Sequence, residues 1–205
     1  MKRQPATASD NGSNAGNTAH QILDIAEALI QTRGFNAFSY QDIADALGIR
    51  KASIHYHFAS KADLGAAVMA RYRDRLEAAM REAAANPDTG AWNLLQQYFS
   101  AYFMFAETPD KVCLSGSLAG EFPALPGDVQ KLVAAFFEDH QNWLARVLEK
   151  GRKAGDLSFA GKPAQMARLV FDALQGALLV KRTTGDMKQL DDVVAVLKAM
   201  LVVKA

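Results

Sequence analysis

Residues 38–64, Phe38-Ser-Tyr-Gln-Asp-Ile-Ala-Asp-Ala-Leu-Gly-Ile-Arg-Lys-Ala-Ser-Ile-His-Tyr-His-Phe-Ala-Ser-Lys-Ala-Asp-Leu64, read as two short helices around a tight turn, followed by the start of a third. Ser39 is placed to cap the first helix, with Asp42 three residues on as reciprocal partner. Ile43, Ala44 and Leu47 make its buried stripe, and Gly48 sits where a helix ends in a left-handed residue. Ile49 plugs the corner. A second helix is predicted from about Arg50 to Phe58, with Ile54 and Phe58 four apart on the inner face. Arg50, Lys51, Ser53, His55 and Tyr56 make the outer face, a set of donors and flat rings. That division is what a short helix needs to enter a DNA major groove.

The same residues carry a resemblance. Ile43-Ala44, Leu47-Gly48-Ile49, Ile54-His55-Tyr56-His57-Phe58 and Ser60-Lys61-Ala62-Asp63-Leu64 together resemble the DNA-binding domain of the TetR/AcrR family of bacterial repressors, over about Ile22 to Leu76. The Tyr56-His57-Phe58-Ala59-Ser60-Lys61 ending makes the match more specific than a bare helix-turn-helix pattern. The resemblance implies an all-helical fold, with a three-helix DNA-binding domain followed by a ligand-binding and dimerisation domain.

Composition agrees with a helical chain. Of 205 residues half are hydrophobic, enough for a sizeable core, while alternating β-branched runs are missing. The net charge is only +1, with +2 on residues 1–75 and −1 on the remainder. DNA binding would therefore rest on the local placement of Lys2, Arg3, Arg50, Lys51 and Lys61, not on bulk charge. A single cysteine, Cys113, excludes a disulfide framework. With no apolar core of a signal peptide and no run of membrane-spanning length, a cytoplasmic protein without membrane contact is expected.

Three segments are expected: an unstructured arm at 1–16, a DNA-binding domain at 17–63 and a ligand-binding, dimerising domain at 64–205. The first helix is predicted from about Thr18 to Arg33, with the stripe Ile22, Ile25, Ala26, Leu29 and Ile30 and a stop at Gly34. Ser60, paired with Asp63, caps a long helix to about Ala84 that carries Leu64, Val68, Tyr72, Leu76 and Met80. Further helices are predicted at about 90–107, 114–122, 128–155, 163–183 and 187–203. The last two are too apolar for helices with one wet face. Leu169, Val170, Ala173, Leu174, Ala177, Leu178 and Val180 on one, and Val193 to Val202 on the other, are expected to form a four-helix bundle with a second copy. Leu178 and Leu197 are expected at that interface.

Candidate site residues fall in two groups. For DNA, Arg50 and Lys51 open the recognition helix toward bases or phosphates, and Ser53 and His55 are small or flat enough to read bases. Tyr40 and Gln41 are placed to touch the other groove wall. The resemblance implies that Tyr56 and Lys61 anchor phosphates, and His57 is read as packing. For a ligand, Tyr98, Tyr102, Phe105, Phe137, His140, Trp143, Phe171 and Gln175, with Phe136 beside them, supply rings with a few polar groups among them, which a cavity between helices needs.

Cys113 is the remaining candidate. It lies before a predicted helix N-terminus and two residues from Lys111, so a thiolate is expected, below the ~8.5 of a free thiol. Its segment, Cys113-Leu-Ser-Gly-Ser-Leu-Ala-Gly-Glu121, resembles the Cys-Leu-x-Gly segment of a subgroup of these repressors, some of which respond to electrophiles or oxidants.

Other chemistry finds no support. His55 and His57 are two apart, on different helix faces, and cannot share a metal. The Leu114–Gly120 stretch lacks Gly-x-Ser-x-Gly spacing and a preceding strand, and no phosphate-cradling loop is present. Neither a cofactor, a metal nor an enzymatic activity is expected. The expected function is a homodimeric transcriptional regulator that binds a double-stranded operator and leaves it when a small molecule or electrophile binds. The alternative is a DNA-binding protein of the same fold that acts through a protein partner.

Overall fold

A computed structural model describes residues 10–202, with side chains from residue 16. Nine α-helices make up the described residues: α1 Asp10–Arg33, α2 Tyr40–Leu47, α3 Lys51–His57, α4 Lys61–Ala83, α5 Ala91–Glu107, α6 Leu114–Gly120, α7 Gly127–Ala154, α8 Pro163–Thr184 and α9 Lys188–Leu201. One 3-10 turn, Phe122–Ala124, and one isolated bridge, Leu157 to Val202, complete the regular structure. None of these helices is long and apolar enough to cross a membrane.

Local chemistry sets the helix ends. Ser39 and Asp42 form the reciprocal capping box of α2, and Ser60 and Asp63 form that of α4. Gly48 ends α2 at φ 64°, a left-handed conformation that lets its N–H reach the Ala44 carbonyl. Helix α3 is shorter than expected at both ends, with Arg50 and Phe58 as its caps. Helix α1 begins at Asp10, so residues 10–16, expected in an unstructured arm, belong to it. Lys2 and Arg3 lie outside the described residues.

Packing follows the stripes. Ile22, Ala26 and Ile30 of α1, Ile43 and Ala44 of α2 and Ile54 of α3 are buried together, with Leu64, Val68, Met69 and Tyr72 of α4 continuing the core upward. Helices α5, α6 and α7 pack against α4, and α8 packs on α7 and α5. Two ion-pair groups fix α4 to its neighbours. Arg71 pairs with Asp24 at 2.8 Å and Glu27 at 3.1 Å, Arg75 pairs with Glu27 at 2.6 Å, and Arg73 pairs with Asp139 of α7.

Helices α8 and α9 divide otherwise than expected. Leu178 and Leu197 are 1% and 3% exposed and belong to the core of one protomer, as do Val170, Leu174 and Leu201. The outward apolar residues are Leu169, Leu179 and Val180 of α8 and Val196 and Met200 of α9. Substitution of Leu178 or Leu197 by a charge would therefore unfold the protomer rather than report on association.

Gly48 isolates backbone strain from packing, because a Cβ there would meet nothing within 4 Å. Gly48→Ala is expected to cost about 1–2 kcal/mol from the left-handed conformation alone. A lowered urea midpoint at unchanged slope is the expected result; an unchanged midpoint would mean that the turn relaxes.

Candidate functional site

The first site is the outer face of α2 and α3. Helix α3 carries no acidic residue and presents Arg50, Lys51, His55 and Tyr56 to solvent, with Ser53 half-buried behind them. Tyr56 is 81% exposed, far more than an aromatic ring needs unless it meets a partner. His55 Nδ1 lies 3.2 Å from the Ala59 carbonyl, and its ring rests on that of Tyr40 at 4.8 Å. A carbonyl only accepts, so Nδ1 is the donor in this bond. Gln41 is exposed on α2, its amide bonded to Asp45 at 2.5 Å.

Two expected DNA contacts are turned inward. Tyr40 is 8% exposed and its hydroxyl donates to the Phe58 carbonyl at 3.0 Å. Burial, with the Asp63 carboxylate second, pushes that hydroxyl up to about 12, so it stays a donor. Tyr40 thus braces α3 instead of touching the groove wall. Lys61 is half-buried, donates to the Phe38 carbonyl and lies over the Phe35 and Phe38 rings at 4.9 and 4.2 Å. Burial lowers its pKa, opposed by Glu121 and Asp42. Its ammonium pins the turn before α2; this inward position replaces the outward phosphate anchor expected from sequence.

The second site is a cavity of about 220 Å³ between α4, α5 and α7. Tyr98, Tyr102, Phe105, Cys113, His140 and Trp143 line it. Phe137, Phe171 and Gln175 do not; they face a separate groove beside α6 and α8. The reason is helical phase. Phe136, one residue before Phe137, takes the cavity position and stacks on His140 at 3.9 Å between ring centres. Phe137 is turned to Phe171 at 5.3 Å. Gln175 still reaches the cavity wall through one bond, its amide donating to the Tyr102 hydroxyl at 3.3 Å.

Sequence reading missed Tyr72, Leu76, Met80 and Leu94 as lining residues, and named Phe136 beside Phe137 without separating them. Tyr72, Leu76 and Met80 were legible only as a core stripe. The hydroxyl of Tyr72 on that stripe was the one available signal.

Two polar chains cross the apolar cavity. Tyr98 bonds His140 Nδ1 at 3.0 Å and meets Tyr102 at 3.5 Å. Cys113 Sγ lies 3.5 Å from the Tyr72 hydroxyl and 3.1 Å from Ser115 Oγ. Burial lowers the His140 pKa to about 4, against a smaller opposing effect of Asp139. Burial also pushes Tyr72, Tyr98 and Tyr102 up, so all three remain neutral donors. Cys113 caps α6 and is 4% exposed, while Lys111 holds its ammonium over the Phe105 ring at 5.8 Å. The groups bonded to the thiol are therefore hydroxyls. Among the described residues, no group of His, Cys, Asp and Glu is placed to hold a metal.

A third set of residues, not anticipated from sequence, ties the two sites together. The Ile30 carbonyl accepts from Ser117 Oγ at 2.6 Å, that of Gln31 from the Val112 N–H at 3.2 Å, and that of Thr32 from Arg182 at 2.5 Å. Glu121 then accepts from the N–H groups of Phe35 and Asn36 at 2.6 and 2.9 Å, and from the Asn36 amide at 2.6 Å. The end of α1 and the turn after it are thus held by α6, its flanks and α8.

Comparison with known proteins agrees with this arrangement. A family model described as bacterial regulatory proteins, tetR family, matches residues 22–68, and one described as the tetracyclin repressor-like C-terminal domain matches residues 91–197. A solved TetR-family transcriptional regulator from Agrobacterium tumefaciens is 33% identical and superposes with a TM-score of 0.88, over 93% of this chain and 100% of that one. A TetR transcriptional regulator from Legionella pneumophila is 36% identical with a TM-score of 0.80, over 89% and 96%. The HTH-type transcriptional repressor NemR of Escherichia coli strain K12 is 23% identical over 92% of this chain and 96% of its own length.

The depressed His140 pKa has a measurable consequence. An unfolded histidine near 6.5 binds a proton that the folded one refuses down to about 4. Stability is therefore full above pH 6.5 and falls as pH drops through that window, by on the order of 3 kcal/mol for a shift of this size. Unfolding free energies of wild type and His140→Gln between pH 4 and 7 should diverge, the variant losing less on acidification. Parallel curves would show that His140 is not the buried base.

Proposed function

Because the chain belongs to the TetR family of bacterial regulatory proteins, we propose that this DNA-binding transcriptional regulator is a repressor that leaves its operator when the cavity between α4, α5 and α7 is filled. The observation that carries this reading is the position of α6. Its cap, Cys113, forms part of the cavity wall, while Val112, Ser117 and Glu121, on and beside it, hold the end of α1. A ligand that displaces Cys113 or Tyr72 moves groups bonded, within one helix length, to the DNA-binding domain. Helix α4 supplies a parallel path, because Tyr72 faces the cavity and its neighbours Arg71 and Arg75 grip Glu27 of α1. Tilting α4 in two associated copies changes the separation of their recognition helices. That is a coupling between two sites through one bistable element.

Association by a two-fold axis is the second part of the reading. Leu169, Leu179, Val180, Val196 and Met200 put large apolar side chains in solvent on two adjacent helices, which a second copy would cover. The dimer would bind a near-palindromic duplex with recognition helices about 34–36 Å apart, or somewhat more. Val196→Glu is expected to give a folded monomer that no longer binds the operator specifically. A folded variant that sediments as a dimer would move the interface elsewhere.

On DNA, Lys51 and Arg50 meet phosphates or base edges, Tyr56 a phosphate, and His55 and Ser53 base edges. Lys51→Ala should weaken operator binding and reduce the salt slope by about 1. Tyr40→Phe should lower stability by about 1 kcal/mol, the worth of one hydrogen bond, without changing that slope. An unchanged slope in Lys51→Ala would remove α3 from the interface.

Cys113 makes a covalent inducer part of the same reading. A reagent that enters the cavity meets its thiol between two hydroxyls. With one cysteine in the chain, an internal disulfide is impossible, so an adduct or a sulfenic acid would be the product. Cys113→Ser should keep operator affinity and lose the response to a mild electrophile. Wild-type protein that stays on DNA with Cys113 shown by mass to be modified would rule the thiol out as the switch. Glu121→Gln should still bind ligand but transmit less of it to the operator, read as a smaller ligand-induced fall in affinity.

A further inference from the structure

The walls of the cavity specify what it accepts. Among the described residues that line it there is no Asp, Glu, Lys or Arg. The nearest carboxylate on α7, Asp139, is engaged by Arg73 outside the cavity. A charged ligand would lose its hydration there and gain no counter-ion. Six aromatic side chains, Tyr72, Tyr98, Tyr102, Phe105, Phe136 and Trp143, present flat faces and edges that suit another ring. Tyr98 and Trp143 already stack at 5.4 Å, so the wall is ordered before a ligand arrives.

The polar chain adds a direction. The Gln175 amide N–H donates to the Tyr102 hydroxyl, which leaves the Tyr102 proton for Tyr98. Tyr98 in turn donates to His140 Nδ1. Burial keeps the imidazole neutral at physiological pH, its pKa being about 4. With Nδ1 accepting, the single ring proton stands on Nε2. Nε2 makes no hydrogen bond among the described residues, and it is not among the sealed, unpartnered buried atoms. His140 lines the cavity, so the chain ends in one N–H donor at its wall. The Tyr72 hydroxyl and the Cys113 thiol, also on the wall, are turned to each other at 3.5 Å, and Gln97, on the exposed side of α5, adds a polar group at the mouth.

We infer that the cavity takes an uncharged aromatic molecule carrying one hydrogen-bond acceptor, a carbonyl or similar oxygen, which the Nε2–H of His140 holds. This rests on the reading of the cavity as the effector site and narrows its ligand to one chemical class. Gln175, on a helix that does not line the cavity, is a positioning residue in this scheme, because it sets the polarity of the chain.

The test uses three probes of one shape: acetylnaphthalene, ethylnaphthalene and naphthoate, substituted at the same ring position. Each is titrated by calorimetry into the full-length protein at neutral pH. Acetylnaphthalene should bind best. Ethylnaphthalene, which lacks the acceptor, should be about five- to tenfold weaker, the worth of one net hydrogen bond. Naphthoate should be weaker than acetylnaphthalene by about a hundredfold or more, because its charge is buried unpaired. In His140→Phe the ketone should fall to the level of ethylnaphthalene. The order of the three probes on the wild-type chain needs no variant, so a failure of His140→Phe to fold leaves the test intact. Naphthoate binding as tightly as the ketone, no advantage of the ketone over ethylnaphthalene, or binding of no probe would each overturn the inference. Operator affinity measured beside each titration separates the two readings. The expected order with an unmoved operator complex would leave the ligand class standing and refute induction through this cavity.

Discussion

The last turn of α1 leaves carbonyls that its own helix cannot satisfy, and this chain satisfies them from more than 80 residues away. The Val112 N–H and Arg182 take the carbonyls of Gln31 and Thr32, and Ser117 adds a second donor to that of Ile30, which already accepts the Gly34 N–H. Glu121 supplies the opposite polarity one step further on, accepting the N–H groups of Phe35 and Asn36. Gly34 lies between the two, at φ 100°, where the Glu121 carboxylate fills the space a Cβ would need. The turn leading into α2 is thus completed by the other half of the molecule. The DNA-reading helices cannot settle independently of α6, and α6 cannot shift without offering buried carbonyls no donor.

Helix α4 repeats this connection by a different kind of force. Arg71 and Arg75 converge on Glu27, which is nearly buried, so its charge would be costly without them. The exposed pairs on the same helix, such as Arg81 with Glu77, add little by comparison. Helices α1 and α4 therefore move as one unit, with the polar grip on one side of α4 and the uncharged cavity on the other. Tyr72 stands at that boundary, its ring over Phe136 at 5.6 Å and its hydroxyl against Cys113. The cavity wall there is made of packed rings and neutral hydrogen bonds, and its described residues carry no charge.

What Tyr40 and the stretch 56–61 do in this chain is partly internal. Tyr40 reaches across to the Phe58 carbonyl, and Lys61 closes onto the Phe38 carbonyl between two rings. Both polar groups hold α2, α3 and the start of α4 in one orientation. Tyr56, by contrast, makes its ring contact only with the adjacent His57 at 5.1 Å and is otherwise in solvent. Arg50, at the cap of α3, and Lys51, on it, are likewise exposed.

The sequence by itself determined what depends on a few neighbouring residues. Ser39 with Asp42, Ser60 with Asp63 and the left-handed Gly48 set helix ends because a cap and its partner lie within four positions. The stripe Ile22, Ala26 and Ile30 was legible because a period of 3.6 residues marks a buried face. Tyr98, Tyr102 and Trp143 were legible as rings on facing helices, and the cavity uses them. Only the tertiary structure decided between Phe136 and Phe137, since adjacent residues differ by about 100° of helix phase and nothing local says which direction is the cavity. It likewise decided that Leu178 and Leu197 face inward while Val180 and Val196 face outward. Both sets are equally apolar, and only the docking of α8 on α9 and α7 separates them. Glu121, Arg182 and Gln175 find their partners 73 to 150 residues away. Spacing along the chain does not encode such pairings; they exist because packed helices bring an unsatisfied backbone or hydroxyl group within reach of one polar side chain.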